Sequence, residues 1–333
     1  DFMSDVYKKL TEEIKKHNHI FIMAHKNIDL DALGASVCFY QIISSFKKEC
    51  YVLFDKTETN TSILKAINNM KKNHIDICFI DNEECNKYIE DDSLLIVLDT
   101  HKRNMVEQPF LLDKIKDVIV LDHHIKNGDY IENTVFSYIR ANLSSMNEFM
   151  VGYLKYLNKT VSPVIATIML AGIEIDTNAF NVKTTTSTYE AAALLAGFGA
   201  DNIMKQELLQ ENKEIYMKRQ ALILNSFKVD DIFEVCVLDE KIYERKDLAL
   251  IAEELLKFED VEASFTIGKT DKNKVGISAR SLGRINVEII MSKLGGGGHM
   301  TDAAAQLLLE QVEEGKNLLL GAIKEATDEG NIY

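Results

Sequence analysis

Short apolar runs alternate with longer amphipathic stretches through the first part of the chain. Residues 20–24, 50–54, 75–80, 94–98 and 118–121 each read as a brief strand, too short for a helix and bounded by polar or turn-forming residues. Between them lie helical patterns, the clearest from about residue 32 to residue 46. Near-continuous apolar strands separated by helices predict a parallel sheet covered on both faces. From about residue 144 to residue 217 the pattern turns helical, with Pro163 near a helix start and Gly172, Gly197 and Gly199 as local breaks. A second region then offers strands at 233–238, 263–269, 274–279 and 304–309, interleaved with helices near 248–257 and 287–294. The expected organisation is a first α/β domain over 1–205, a charged helical linker over 206–228 and a smaller α/β domain over 229–333.

Composition narrows the function more than the fold. Among 333 residues, 38 Lys and Arg face 52 Asp and Glu, a net charge of −14 that disfavours a surface built to track long nucleic acid. The five cysteines, Cys38, Cys50, Cys78, Cys85 and Cys236, form no C-x-x-C motif, which fits a reducing, cytoplasmic setting. No apolar run approaches the roughly 18 residues that span a bilayer. Asp1 and Phe2 precede Met3, as in a chain cut from something longer or one carrying a two-residue scar.

The candidate chemistry gathers where strands end. In open parallel sheets ligands bind beyond the carboxyl ends of the strands. His25 follows the first predicted strand, Asp99 ends the fourth, and Asp122-His123-His124 ends the fifth. Asp29 and Asp31 stand four and six residues after His25, across a strand-to-helix turn that can aim all three inward. A lone Asp there would ordinarily be a helix cap; two with a histidine argue for more. Asp99 closes the run Leu94-Leu95-Ile96-Val97-Leu98, where an unpaired carboxylate is costly to bury and a cation would remove the cost. Asp176 closes Ala171-Gly172-Ile173-Glu174-Ile175 and could equally cap the next segment.

Two imidazoles and four carboxylates suit Mn²⁺, Fe²⁺, Zn²⁺ or Mg²⁺. They are too many for one open catalytic ion, whereas two metals about 3.5–4 Å apart use them to clamp the oxygens of a phosphoryl displacement. Gly295, Gly296, Gly297 and Gly298, with His299 after them, could form a phosphate nest, although a glycine run behind a helix can also be a simple stop. Arg280 and Arg284 could fork onto phosphate or remain solvated. His17, His19 and His74 read as solvated, and His101 as either a supporting or a surface residue.

At these residues the chain resembles the DHH phosphoesterase family, through Asp122-His123-His124, the His25 to Asp31 segment, Asp99-Thr100-His101 and Gly172 to Thr177. The glycine-rich stretch before His299 resembles the family's associated C-terminal substrate domain, not the second domain of family-two pyrophosphatases. Within the family the likeness is nearest to the catalytic part of bacterial cyclic-di-AMP phosphodiesterases, on residues 99–107, 284–291 and 295–304. Three residues separate His299 from the alanine pair, where the stand-alone nanoRNase branch typically has two. The chain departs from relatives in Lys26-Asn27-Ile28, and in Ser144-Ser145-Met146-Asn147-Glu148 where they usually carry Ser-Ser-Thr-Ala-Glu.

The resemblance implies two divalent cations, Mn²⁺ by family preference, one held by His25, Asp29 and Asp99 and the other by Asp31, Asp99, His123 and Asp176. It gives His124 the task of steadying the phosphate or protonating the leaving oxygen, and gives the glycine loop, His299, Arg280 and Arg284 the far phosphate and base. The implied active site is a cleft between the two domains. The substrate would be a cyclic dinucleotide, yielding pApA from cyclic di-AMP and then AMP in a further step, or a short linear dinucleotide. The other partner expected is a second copy in a homodimer, with membrane contact at the inner face of the cell membrane only through segments outside this chain. A non-catalytic nucleotide sensor is the remaining class, disfavoured because all six metal-ligand candidates are kept.

Overall fold

The apolar runs become the core of a parallel sheet. The computed structural model describes residues 1–126 and 128–333, which fall into two units, Asp1–Gln210 and Glu211–Tyr333. In the first unit β1 (His19–Met23), β2 (Glu49–Leu53), β3 (Phe79–Ile80), β4 (Ser93–Leu98), β5 (Asp117–Asp122) and β6 (Phe136–Ile139) pair in the order β3-β2-β1-β4-β5-β6. Every pairing is parallel. Strand order therefore reverses between β1 and β4, where Ile20 sits opposite both Cys50 and Leu94. That reversal opens a crevice at the carboxyl ends of the two central strands.

Helices α1 (Phe2–Lys15), α2 (Leu30–Ser45), α3 (Thr61–Lys72), α4 (Leu111–Lys114), α5 (Met146–Leu157), α6 (Pro163–Asp176), α7 (Thr186–Gly197) and α8 (Asn202–Leu209) complete the unit. Ile20, Ile22, Leu94, Ile96 and Ile119 face a core shared with α2, α5 and α6, while Phe21, Met23, Leu95, Val97 and Val120 face the opposite core. Both faces are thus covered, as fully apolar strands require. Helix α2 is buried nearly all round, which explains why its apolar residues do not keep to one stripe. It crosses α6 at two glycines. A Cβ on Gly172 would lie 2.7 Å from the Asp31 Cα, and one on Gly34 3.1 Å from the Met169 Cα.

The structure departs from the expected elements at the margins. The strand expected over 75–80 contracts to β3, and the half-exposed edge strand β6 has no clear alternation to announce it. Helix α1 lies outside the expected elements, although Val6, Tyr7, Leu10 and Ile14, buried at helical spacing, give it a clear signal. Residues 206–228 are divided, the end of α8 closing the first unit and α9 (Lys213–Ile223) opening the second. Among the described residues no helix is long and apolar enough to cross a membrane.

The second unit is a mixed sheet. Strands β7 (Phe227–Val229), β8 (Phe233–Ile242), β9 (Ala263–Asp271), β10 (Lys274–Ser281), β11 (Gly297–Gly298) and β12 (Asp302–Leu307) pair in the order β11-β12-β10-β9-β8-β7. Only β8 and β9 run parallel, joined by the crossover helix α10 (Arg245–Leu255). Helices α11 (Val287–Ser292) and α12 (Val312–Glu329) share the main core with the sheet, and α10 packs Leu248, Ile251 and Leu255 against Cys236 and Leu238.

The contrast between two glycines tests the crossing. Gly172→Ala should cost about 1–3 kcal/mol in urea unfolding of the first unit, because the new methyl meets backbone. Gly321→Ala in α12, with nothing within 4 Å of its Cβ, should instead stabilise the second unit by up to about 1 kcal/mol.

Candidate metal centre

Each acidic or imidazole group of the centre is delivered by a strand end or a helix end. His25 follows β1, and Asp29 caps α2, its Oδ1 accepting the Ala32 amide at 2.8 Å. The capping reading of Asp29 is thus correct for one oxygen, while the other, Oδ2, lies 3.6 Å from His25 Nε2. Asp31, in the first turn of α2, is fully buried. Its carboxylate accepts the Met146 amide at 3.0 Å, the Asn147 amide at 3.2 Å and the Asn147 side-chain Nδ2 at 2.5 Å. The two backbone donors are the first amides of α5, which have no partner inside their own helix, so the positive ends of α2 and α5 converge on one carboxylate. Asn147, in the sequence only a departure from relatives, also donates through its side-chain amide to the Asp31 carbonyl at 2.9 Å.

Asp99 lies at the switch between β1 and β4 and adopts φ 65°, a left-handed conformation uncommon outside glycine. Its amide donates to the Leu121 carbonyl at 2.9 Å, so the sheet itself holds the strained residue. One oxygen, Oδ2, lies 3.2 Å from His25 Nε2, and the other, Oδ1, 2.8 Å from His123 Nε2. His123 Nε2 is also 3.4 Å from Asp176 Oδ2 and 3.7 Å from Asp31 Oδ2. Despite these approaches, neither ring nitrogen of His123 nor Asp99 Oδ1 makes a hydrogen bond among the described residues. Donor atoms this close that do not point at one another converge on a common third point, the arrangement that ligands to a cation adopt.

The electrostatics agree. Burial raises the Asp31 carboxyl to about 6, with the Asp99 charge adding to it and His123 opposing. Burial likewise lifts Asp176 well above the carboxylate range, reinforced by Asp31, Asp29 and Asp99. Asp176 also ends α6, the negative pole of that helix, where a further negative charge is unfavourable. Burial opposes ionisation of Asp99 too, but His123 and His25 outweigh it and hold that carboxyl well below its usual range. Burial lowers His25, yet Asp29 and Asp99 together bring it up to about 12. An excess of buried carboxylate over compensating charge is what divalent cations would relieve, so the residues present fit such ions. Ligand atoms of His25, Asp29 and Asp99 fall within 4.8 Å of one another, and so do those of Asp31, His123 and Asp176.

Asp122, the first residue of the motif that contains both histidines, serves a different end. It is buried and accepts His101 Nδ1 at 2.6 Å on one oxygen and His124 Nδ1 at 2.7 Å on the other. His101 is therefore a buried supporting residue. The His123 and His124 rings lie side by side, centroids 4.2 Å apart, with His123 buried and the His124 side chain half exposed. Burial works against the His124 charge, but the hydrogen bond to Asp122 prevails and raises it to about 9. His17 is not solvated as expected: it is buried with Nε2 2.8 Å from Asp117 Oδ2, while His19 pairs with Asp92 at 2.7 Å. Both lie at the opposite end of the sheet, beside the strand starts.

The second unit holds the remaining candidates. Gly296 and Gly298 are required by the sheet, since a Cβ at either would lie 2.5 Å or less from β12 backbone. Gly295 and Gly297 face open space, and the His299 amide donates to the Asp302 carbonyl at 2.7 Å. Arg280 is buried and bound to Asp302 at 2.8 Å and Glu253 at 3.4 Å; Arg284 is exposed and forks onto Glu262 at 2.7 and 3.1 Å.

Comparison with known proteins places these features in a family. The DHH family N-terminal domain matches residues 19–173 and the DHHA1 domain residues 232–325. A cyclic-di-AMP phosphodiesterase of Bacillus subtilis, GdpP, is 35% identical over 327 residues, covering 96% of this chain and 50% of its own. The chain thus spans about half the length of that relative. A bifunctional oligoribonuclease and PAP phosphatase of Mycoplasma genitalium, NrnA, is 29% identical, covering 88% of this chain and 89% of its own. An exopolyphosphatase-related protein from Bacteroides fragilis shares the fold at a TM-score of 0.75 and 18% identity, over 97% of this chain and 96% of that one.

Calorimetric titration of the chelator-treated chain with Mn²⁺ should show binding that Asp99→Ala weakens at least about tenfold, since the two Asp99 oxygens lie 3.2 Å from His25 and 2.8 Å from His123, one member of each group. In the metal-free chain, NMR should find His124 titrating near pH 9 and moving toward 6.5 in Asp122→Asn. The sign comes from linkage: a pKa raised on folding adds stability below pH 6.5 that is lost as pH rises through 9, and the variant should lack that loss.

Proposed function

Because the chain belongs to the DHH family and carries a DHHA1 domain behind the DHH domain, we propose that it is a metal-dependent phosphodiesterase that hydrolyses cyclic di-AMP to linear pApA. The observation that carries the reading is Asp99, whose two oxygens serve two separate clusters of ligand atoms. His25, Asp29 and Asp99 would hold one divalent cation, and Asp31, Asp99, His123 and Asp176 a second, with Mn²⁺ the family's usual ion. When bound, such ions supply Lewis-acid charge at the phosphate and lower the pKa of water toward neutrality.

The protein's own groups account for the rest. Asp122 ties His124 Nδ1 and keeps the ring protonated, leaving Nε2 on the exposed side to steady a phosphate or donate to the departing 3′-oxygen. Asn147 and the α5 amides fix Asp31, so its free electron pairs keep one direction. In the DHHA1 unit Gly295, Gly297 and His299 would take the far phosphate, the two glycines through open backbone. Arg280 and Arg284 would join only by exchanging a carboxylate partner for phosphate. The name of the B. subtilis relative supports the cyclic substrate. The M. genitalium relative favours a second reading, hydrolysis of short linear oligonucleotides, with pApA as a substrate.

Side-by-side hydrolysis of cyclic di-AMP and pApA with Mn²⁺ separates them. The cyclic substrate should disappear faster, and Asp99→Ala should reduce that rate at least about a hundredfold. Consumption of pApA alone would establish the second reading, and inertness toward both would overturn the assignment of activity.

A further inference from the structure

The segment after Asp176 carries a feature that metal binding does not explain. Asn178, Ala179 and Phe180 take φ values of 46°, 55° and 65°, three consecutive left-handed residues without a glycine. Such residues normally occur singly, because a side chain in this region crowds its own backbone. The turn is held by buried Thr177, whose hydroxyl donates to the Ile173 carbonyl at 2.7 Å and accepts the Phe180 amide at 3.0 Å. Its product is an aromatic pair. The Phe180 ring stacks on Tyr189 of α7, centroids 5.4 Å apart and planes 17° from parallel, and Tyr189 is 57% exposed.

The pair is linked to the metal centre through its neighbours: Phe180 is four residues past Asp176, and Thr188, next to Tyr189, donates to Glu148 at 2.5 Å, next to the Asn147 that holds Asp31. The segment leaves the centre at Asp176, whose Oδ2 is 3.4 Å from His123 Nε2. A strained turn that raises a nearly parallel pair of rings, one open to solvent, within a few residues of a phosphodiester site matches the way proteins bind unpaired bases. Resting on the phosphodiesterase reading, we propose that Tyr189, backed by Phe180, is a stacking platform for one nucleobase of the dinucleotide. Every base offers a π-face, so the platform holds adenine and guanine alike and sets affinity without base choice.

The test uses the Mn²⁺-loaded chain with cyclic di-AMP, and a 2-aminopurine cyclic dinucleotide whose fluorescence is quenched on stacking. Tyr189→Leu should raise KM roughly 5- to 100-fold while kcat stays within about twofold, and should abolish the quenching. Tyr189→Phe should keep both. Because Tyr189 is exposed, neither change threatens folding. If Tyr189→Leu hydrolyses cyclic di-AMP with unchanged KM and quenches as wild type does, the platform is wrong and the phosphodiesterase reading stands. If wild type hydrolyses no dinucleotide, both fall together.

Discussion

Three aspartates with little or no solvent contact meet around one histidine in the first unit, and the cost of confining that much negative charge shapes what surrounds it. Asp31, Asp99 and Asp176 all approach His123 Nε2 within 3.7 Å. Buried carboxylates this close cannot all ionise unless charge of opposite sign is supplied. The fold supplies part of it, through the amino ends of α2 and α5 at Asp31 and through His25 and His123 at Asp99. At Asp176 the helix works the other way, since that residue ends α6 at its negative pole. The remaining deficit is of the kind that divalent cations would relieve.

Several local choices stem from this centre. Gly172 is demanded because α6 must pass close enough to α2 to bring Asp176 beside Asp31, and a methyl there would strike the Asp31 backbone. Asp99 accepts a left-handed backbone because the turn aims its two oxygens at two different clusters, and the amide bond to Leu121 steadies it. The two motif histidines, adjacent in sequence, lie ring beside ring with centroids 4.2 Å apart, and buried Asp122 fixes the more exposed one through its ring nitrogen. Strain, close packing and buried charge are concentrated where the chemistry is, and the central strands around them are ordinary in pairing and register.

The glycine run in the second unit shows how one motif can serve two ends. Gly296 and Gly298 let the chain approach the β12 backbone more closely than any side chain would allow, while Gly295 and Gly297 border open space. Neither the reading as a helix stop nor that as a phosphate nest separates the four residues. Arg280 illustrates the converse, since a buried guanidinium bound to two carboxylates looks, in sequence, the same as a free one.

The sequence by itself determined the layering of the first unit, because fully apolar runs such as 94–98 have no stable place except inside a covered parallel sheet. It also determined which residues stand at strand ends, since His25, Asp99 and His123 are tied to β1, β4 and β5 by one or two peptide bonds. Only the tertiary structure decided how these ends combine. Strand order, which local periodicity does not encode, set β1 against β4 and so joined His25 to Asp99. The grip of Asn147 on Asp31 spans 116 residues, and the stacking of Phe180 on Tyr189 depends on a backbone turn that no composition signals. Contacts between residues distant in sequence arise from the packing of whole elements, and a pattern read along the chain carries the elements but not their packing.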